Sequence, residues 1–420
     1  MEFIADLHIH SKYSRATSSQ MELEPLNQWA KIKGIQVLGS GDFTHPIWLA
    51  DLIKKLEPAE PGLFVLKNAE EDFKNKTRFL LTSEISCIYK KNGRVRKIHI
   101  VFLAPSFEGA TKINKDLVSA GGNLKSDGRP ILGLDAKKLV EIVLNAEPEA
   151  FVIPAHIYTP WFSLFGSRSG FNSLEECFEE YSKYIYAAET GLSSDPAMSW
   201  RNSSLDKIAF VSSSDAHSPS KLGREATVFD TELSYEAIIQ ALKEKDPKKF
   251  LYTLEFYPEE GKYHNDGHRE CGVCLSPEES RKYNNLCPVC GRPLTIGVLN
   301  RAAELSDRPI GFAPEKAAPF KSIIPLQEII AESLGVGPSS KKVNLAYHQM
   351  IKDFGSEFAI LLKYSIDSLS KTPWTRIAEG IKKMRSGDVS IAPGYDGVFG
   401  KIRIFSDQEK NNCVFQKTLF

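Results

Sequence analysis

The sequence predicts an α/β barrel, then a small zinc-binding module, then a mainly helical tail. Three observations predict it. Apolar runs alternate with helical patterns through about residue 255, and histidines and acids gather at the ends of the runs. Two CxxC pairs follow at 271/274 and 287/290. Beyond them, helical periodicity dominates. The expected divisions are 1–255, 256–300 and 301–420. A chain of 420 residues is long enough to bury a sizeable core in two or three such units.

The first division reads as strands at FIADLHI (3–9), GIQVLGSGD (34–42), RFLLTSEISCIY (78–89), KIHIVFLA (97–104), AFVIPAH (150–156), YIYAAET (184–190) and IAFVSSSDAH (208–217). Helical patterns lie between several of them, such as MELEPLNQWAKIKG (21–34), stopped by Gly34, and DAKKLVEIVLNAEP (135–148). The order suggests parallel strands closing into a barrel, whose chemistry collects at the C-terminal ends of the strands. KKNGRVRK (90–97) reads as a basic hairpin turn around Asn92-Gly93. In the last division PLQEIIAESLG, KVNLAYHQMIKDFGSEFAILLK and WTRIAEGIKKMRSG are helical, and GKIRIF is strand-like.

Lys+Arg and Asp+Glu both number 53, so the formal charge is zero. That argues against an indiscriminate nucleic-acid binder but leaves room for a local basic groove. Four of the seven cysteines form the CxxC pairs, while Cys87, Cys177 and Cys413 are scattered. This is a metal pattern rather than a disulfide framework and fits a reducing compartment. Met1 runs directly into the first strand, and no run of about 18 apolar residues exists. The expectation is a cytoplasmic protein without signal peptide or membrane partner.

Six of the nine histidines (His8, His10, His45, His99, His156 and His217) fall at or just after strand ends, in DLHIH, GSGDFTH, KIHIVFLAP, IPAHIY and SSDAHS. Asp6, Asp42, Glu84, Glu189 and Asp215 accompany them. Strand side chains two apart share a face, so Asp6, His8 and His10 can converge at one strand end. Neutral imidazoles suit borderline divalent ions such as Zn²⁺, and a carboxylate can bridge two ions. Clustered divalent ions serve hydrolytic phosphoryl chemistry by lowering the pKa of bound water and neutralising charge on the phosphate. Asp6 is expected to orient a histidine rather than to bind metal. Asp195, before Pro196, reads either as a further ligand or base or as a helix N-cap.

Cys271, Cys274, Cys287 and Cys290 stand at ribbon-like spacing and predict a structural Zn²⁺ site closed by four thiolates. His264 and His268 lie just ahead of it. The loop HIYTPWFSLFGSRSGFNS (156–173) leaves a predicted ligand strand carrying Tyr158, Trp161, Phe162, Phe165, Arg168 and Gly170. Its aromatics read either as base-stacking groups or as core beneath a lid. Tyr158, Trp161, Phe165, Arg168 and Gly170, with Arg224 in KLGRE, are the candidate nucleic-acid-binding residues.

DLHIH, GDFTH, SEIS, KIHIVFL, PAH and SSDAHS together resemble the polymerase-and-histidinol-phosphatase (PHP) superfamily over about residues 1–250. The resemblance implies a distorted (β/α)7 barrel holding two or three metals. It implies that His8, His10, Glu84 and Asp215 bind one ion, and that Glu84 bridges to a second held by His99 and His156. His217 would bind a third with Asp42 or His45. The catalytic set is then His8, His10, Glu84, Asp195, Asp215 and His217. The chain departs from the usual pattern in having Phe43 directly after Asp42, and Ser14 and Arg15 where many members carry a histidine.

With the CxxC module, GVLNRAAELSDRP and the long tail included, the whole chain resembles the endonuclease Q family of archaea and some bacteria. The resemblance implies a monomeric repair nuclease. It would incise damaged DNA 5′ to a deaminated base (uracil, hypoxanthine, xanthine) or an abasic site, with the lesion flipped out and Zn²⁺, Mg²⁺ or Mn²⁺ in the barrel. The alternative is a PHP phosphoesterase acting on a small phosphate or nucleotide. The last residues, QKTLF (416–420), match the first part of a sliding-clamp-binding peptide, either as a shortened motif or by accident.

Overall fold

The computed structural model describes residues 1–67, 76–406 and 408–409 of the chain. Cys413 and the QKTLF segment lie outside the described residues. The strand Glu2–Asp6 buries every residue except Glu2. It runs parallel to Val37–Gly39, which runs parallel to Arg78–Lys91. The helix Leu23–Lys33 makes the first crossover and the helix Pro46–Lys55 follows the second strand. Ala187–Glu189 and Ala209–Val211 form another parallel pair. These parts follow the sequence pattern.

The wall is mixed rather than uniformly parallel. Arg78–Lys91 turns at Asn92-Gly93 into Arg94–Ala104 as a long antiparallel hairpin, in register from Leu81↔Ala104 to Lys91↔Arg94. Both turn residues have positive φ (52° and 73°), as a two-residue hairpin turn requires. Arg94–Ala104 then pairs antiparallel with Phe151–Pro154. Ala226–Asp230 lies antiparallel to Glu2–Asp6 and to Phe250–Glu255. His99 therefore sits within a strand rather than at its end, paired opposite Ser86.

One face of each wall strand contributes to a single apolar cluster that includes Phe3, Val37, Leu80, Val101, Phe151 and Val211. Glu84 lies four residues beyond Leu80, and His99 two before Val101. Strand periodicity thus puts both on the side of that cluster, at one end of the barrel. The helix Tyr235–Glu244 packs Tyr235, Ile238 and Leu242 against the same cluster. Among the described residues no helix is long and apolar enough to cross a membrane.

The helices Leu326–Leu334, Lys341–Phe354 and Thr375–Ser386 share one apolar core with the outer helices of the barrel. The strand Phe320–Ser322 joins the barrel sheet beside Phe250–Glu255. The sequence pattern did not reveal this strand. A buried ion pair ties the two regions: Lys33 Nζ lies 2.6 Å from Glu357 Oε2, with the side chains only 4% and 5% exposed. Glu357 also accepts from the Tyr347 hydroxyl (2.6 Å) and from Leu326 N (3.0 Å) at the start of its helix.

Removing one partner of a buried pair leaves a charge without compensation. Glu357→Ala should therefore destabilise the protein by about 3–5 kcal/mol in denaturant unfolding. The double variant Lys33→Met, Glu357→Gln should recover part of that loss, because it buries no lone charge. Equal stability of Glu357→Ala and wild type would show that the pair does not hold these regions together.

Candidate metal centre

Two imidazoles enter the centre from the end of the first strand, each held from behind by a carboxylate. His8 Nδ1 lies 3.0 Å from both carboxylate oxygens of Glu189. His10 Nδ1 lies 3.0 Å from Asp42 Oδ1. Occupying both Nδ1 atoms directs both Nε2 atoms inward, where they lie 3.5 Å and 3.3 Å from Glu84 Oε2. The other oxygen of Glu84 is 2.7 Å from His99 Nδ1 and 3.4 Å from His156 Nε2. Asp215 Oδ1 approaches His10 Nε2 to 3.0 Å, and the His10 and His217 rings are 4.7 Å apart.

Three groups of potential ligands result: His8, His10 and Glu84; Glu84, His99 and His156; and His10, Asp215 and His217. Glu84 and His10 each belong to two of them. The fit to divalent ions rests on atoms without partners. His8 Nε2, His10 Nε2, Glu84 Oε1 and Asp215 Oδ1 are all buried and none makes a hydrogen bond of acceptable geometry. Orphaned buried polar atoms are costly, and here they converge on common points where a cation satisfies them.

The electrostatics agree. Burial works against a charged ring at His8, but Glu189 and Glu84 outweigh it and raise the pKa well above the usual histidine value. Asp42 and Asp215 do the same for His10. Burial wins at His99, which falls to about 4. Burial also opposes ionisation of Glu84, yet His99, Arg129 and His8 hold its pKa well below the carboxylate range. An excess of acid that traps protons on two rings is equally an excess that attracts metal, which competes for the same lone pairs.

Backbone strain accompanies the centre. Asp42, His156 and Asp215 all have positive φ (48°, 30° and 46°), a region that side chains other than glycine enter at a cost. Beside His156, Gly191 has φ 67°, and a Cβ added there would collide with the Cβ of His156.

Several sequence expectations change. Asp42 is not among the grouped residues; its oxygens accept from His10, Ser11 N (2.6 Å), Ser11 Oγ (2.7 Å) and Ser14 Oγ (2.8 Å). His45 precedes the helix Pro46–Lys55, stacks on Tyr13 with centroids 4.3 Å apart, and also lies outside the groups. Asp195 caps the helix Pro196–Trp200, accepting from Met198 N at 2.9 Å, and burial lifts its pKa to about 6. Asp6 orients no histidine. It accepts from Ser214 N and Gly223 N (both 2.9 Å) and so braces the loop that carries Asp215.

Tyr158 (1% exposed) and Phe165 (0%) belong to the core, because the 156–173 loop folds its apolar side chains inward. Trp161 is exposed and meets Tyr263 edge-on at 5.6 Å. Gly170 packs so closely on Gly166 that no Cβ fits, and its carbonyl accepts from Arg96. Arg224 donates from Nε to Ser214 O (2.8 Å) and from Nη2 to Asp215 O (3.3 Å), so it supports the loop from beneath. The Arg168 side chain is exposed, away from these contacts. Sequence reasoning missed Arg129, whose Nη1 is 3.1 Å from Glu84 Oε2; a lone arginine in a loop gives no signal. It flagged Glu189 as an acid at a strand end without foreseeing its hold on His8.

In the second metal motif, Cys271, Cys287 and Cys290 gather with His268, all ligand atoms within 4.8 Å. Cys274 is the exception: its Sγ is 3.6 Å from Asn265 Nδ2 and 3.9 Å from Pro393 O. The hairpin register explains the exchange. His268 pairs with Val273 and Gly267 with Cys274, so alternation puts His268 and Cys274 on opposite faces. Burial opposes the Cys287 thiolate, but the N–H groups of Cys290 and Val289 bring its pKa down to about 7.

Comparison with known proteins bears on this arrangement. Residues 197–247 match a family model described as PHP-associated, and residues 325–388 match the MJ0043 C-terminal domain. The protein MJ0043 of Methanocaldococcus jannaschii is 35% identical over 253 residues, 58% of this chain and 31% of that one. The chain thus spans about a third of that relative's length. The crystal structure of the lesion-specific endonuclease PfuEndoQ from Pyrococcus furiosus superposes with a TM-score of 0.84 at 30% identity, covering 98% of this chain and 99% of that one. Endonuclease Q in complex with a 27-mer duplex substrate, with an abasic lesion at its active site, matches with a TM-score of 0.84 at 31% identity, covering 98% of both chains.

Carboxylates that orient ligating histidines typically contribute 10–100-fold to metal affinity. Glu189→Gln and Asp42→Asn should each weaken divalent-ion binding by about that factor in calorimetric titration. Asp195→Asn should leave binding unchanged. Unaltered affinity in the first two variants would show that the barrel metal does not depend on His8 and His10 being held.

Proposed function

The chain belongs to the endonuclease Q family, and from that membership we propose that it is a metal-dependent DNA repair endonuclease that cuts the phosphodiester 5′ to a lesion. The observation that carries the reading is the set of four orphaned ligand atoms converging around Glu84, in a chain that matches endonuclease Q over 98% of its length. The lesions in view are the deaminated bases uracil, hypoxanthine and xanthine, and abasic sites.

His8, His10 and Glu84 would hold one ion, Glu84, His99 and His156 a second, and His10, Asp215 and His217 a third. Ions bound there would activate the attacking water and neutralise charge on the scissile phosphate. The chain's own groups do the positioning. Glu189 and Asp42 fix the two ring orientations from behind. Asp6 and Arg224 hold the loop that presents Asp215. Arg129 brings a guanidinium, 25% exposed, to the edge of the cluster, where it can face a phosphate oxygen as well as Glu84.

The depth of the site bears on substrate choice. His8 and Glu84 are 3% and 1% exposed, so a phosphodiester must be drawn out of the regular duplex to reach them. A damaged or missing base lowers the cost of that extrusion. Trp161 is the exposed aromatic of the neighbouring loop and can stack on a base.

A 5′-labelled duplex with one uracil, hypoxanthine or abasic site, incubated with Mg²⁺ or Mn²⁺, should yield a single nick 5′ to the lesion. Undamaged duplex and a chelator control should stay intact. His8→Ala, Glu84→Ala and Asp215→Ala should abolish nicking while keeping wild-type circular dichroism. Retained nicking in these variants would sink the site assignment. Turnover of small phosphate esters with no nicking of any lesion duplex would return the protein to the small-phosphoesterase reading.

A further inference from the structure

Away from the metal centre, a cavity of about 360 Å³ lies between the tip of the long hairpin, the end of the 156–173 loop and the helix Val298–Glu304. Four arginines line it: Arg94, Arg96, Arg168 and Arg301. Arg301 builds the wall. Its guanidinium donates to Phe165 O (2.9 Å), Phe171 O (2.9 Å), Asn172 Oδ1 (2.7 Å) and Glu304 (2.7 Å), which engages four of its five N–H groups in holding the wall. The other three are differently placed. Arg96 is only 9% exposed, lies on the Phe171 ring at 4.1 Å and donates from Nη1 to Gly170 O, but its buried Nε has no partner. Arg94 and Arg168 are exposed and form no ion pair among the described residues.

The acids of the cavity do not cancel this charge. Four arginines stand against two glutamates in the lining: Glu304 is paired to Arg301, and Glu176, which accepts from Asn172 N at 2.9 Å, leaves the remaining arginines in excess. Arg94, Arg96 and Arg168 line one cleft without an ion pair among the described residues, and together they offer the donors that the several oxygens of a phosphate take. The position relative to the metal centre excludes the scissile phosphate. Arg96 and Arg94 precede His99 on one strand by three and five residues, odd intervals that turn both side chains to the opposite face of the strand from His99, so the cleft lies outside the pocket that holds the metal ligands. The loop that leaves His156 connects the two places, with Phe162 O accepting from His99 N at 3.0 Å and Gly170 on the cavity wall.

Resting on the endonuclease reading above, we propose that this cleft is a phosphate site that holds a DNA backbone phosphate other than the scissile one. Phosphate contacts fix register without reading sequence, so the cleft would place the strand whichever lesion is present.

The test uses the full chain with Arg94→Gln and Arg168→Gln combined, two exposed positions whose loss leaves Arg96 and Arg301 in place. Duplex affinity is measured by fluorescence anisotropy across a salt series, with and without a lesion, beside wild-type nicking. The double variant should bind both duplexes about tenfold more weakly, and its salt slope should fall by about 1 for each phosphate contact removed. An unchanged affinity and slope, with wild type nicking normally, would overturn the cleft and leave the endonuclease reading intact. A wild type that neither nicks nor binds duplex would overturn both. A wild type that binds without nicking would overturn the endonuclease reading, and the slope would still decide the cleft. In a parallel arm, inorganic phosphate is added during thermal melting. Stabilisation of wild type but not of the variant, with equal duplex binding by both, would assign the cleft to free phosphate and overturn the backbone assignment.

Discussion

Burying an ionised carboxylate costs several kcal/mol unless cationic or hydrogen-bonding groups face it. Glu84 stands on a 14-residue strand with 1% of its surface exposed. Its two oxygens are faced by His8, His10, His99, His156 and Arg129, contributed by four separated stretches of the chain. Those stretches must therefore converge for Glu84 to be buried at all. The long hairpin meets this demand from one side, because its antiparallel return brings His99 to the carboxylate from within a strand. The end of the first strand and the loop after Phe151–Pro154 meet it from the others.

Behind this inner ring lies a layer of groups that hold its side chains and loops from outside. Glu189 grips His8 and also accepts from the backbone N of His156 at 3.0 Å, so one carboxylate sets two of the rings. Asp42 gathers donors from Ser11 and Ser14 before it reaches His10, which explains why it is spent as an orienting group. Asp6 and Arg224 hold opposite sides of the loop that carries Asp215 and His217. Rigid support of this kind keeps ligand atoms close together although like charges and positive-φ backbone would disperse them.

The regions beyond the barrel are joined to it by specific contacts. Lys33 and Glu357 form an ion pair out of contact with water, and Glu357 also satisfies a helix N-terminus. Arg301 clamps two carbonyls of the 156–173 loop, so the helix following the cysteine module sets the shape of a loop that begins at the metal centre. A buried guanidinium far along the chain thereby becomes part of the environment of the candidate active site.

The pattern of residues by itself placed the parallel strands of the first third of the barrel and the hairpin turn at Asn92-Gly93 and drew attention to the imidazoles and acids near strand ends, while the family resemblance implied the grouping of His8, His10, Glu84, His99, His156, Asp215 and His217 that the structure brings together. The strands and the turn are legible because strand periodicity and turn chemistry are local. Tertiary structure alone decided the rest. Asp42 and Glu189 are both acids at strand ends, and only the three-dimensional position of their neighbours makes each an orienting group. Asp195 fits a ligand or a cap equally in one dimension, and the helix Pro196–Trp200 took it. Tyr158 and Phe165 are buried because the loop folds back on itself, which no window of sequence registers. His268 replaces Cys274 in its group because hairpin register, set by pairing across the turn, puts the two side chains on opposite faces. Spacing along a chain specifies which residues are close in sequence; the face each one presents depends on partners that the fold brings from elsewhere.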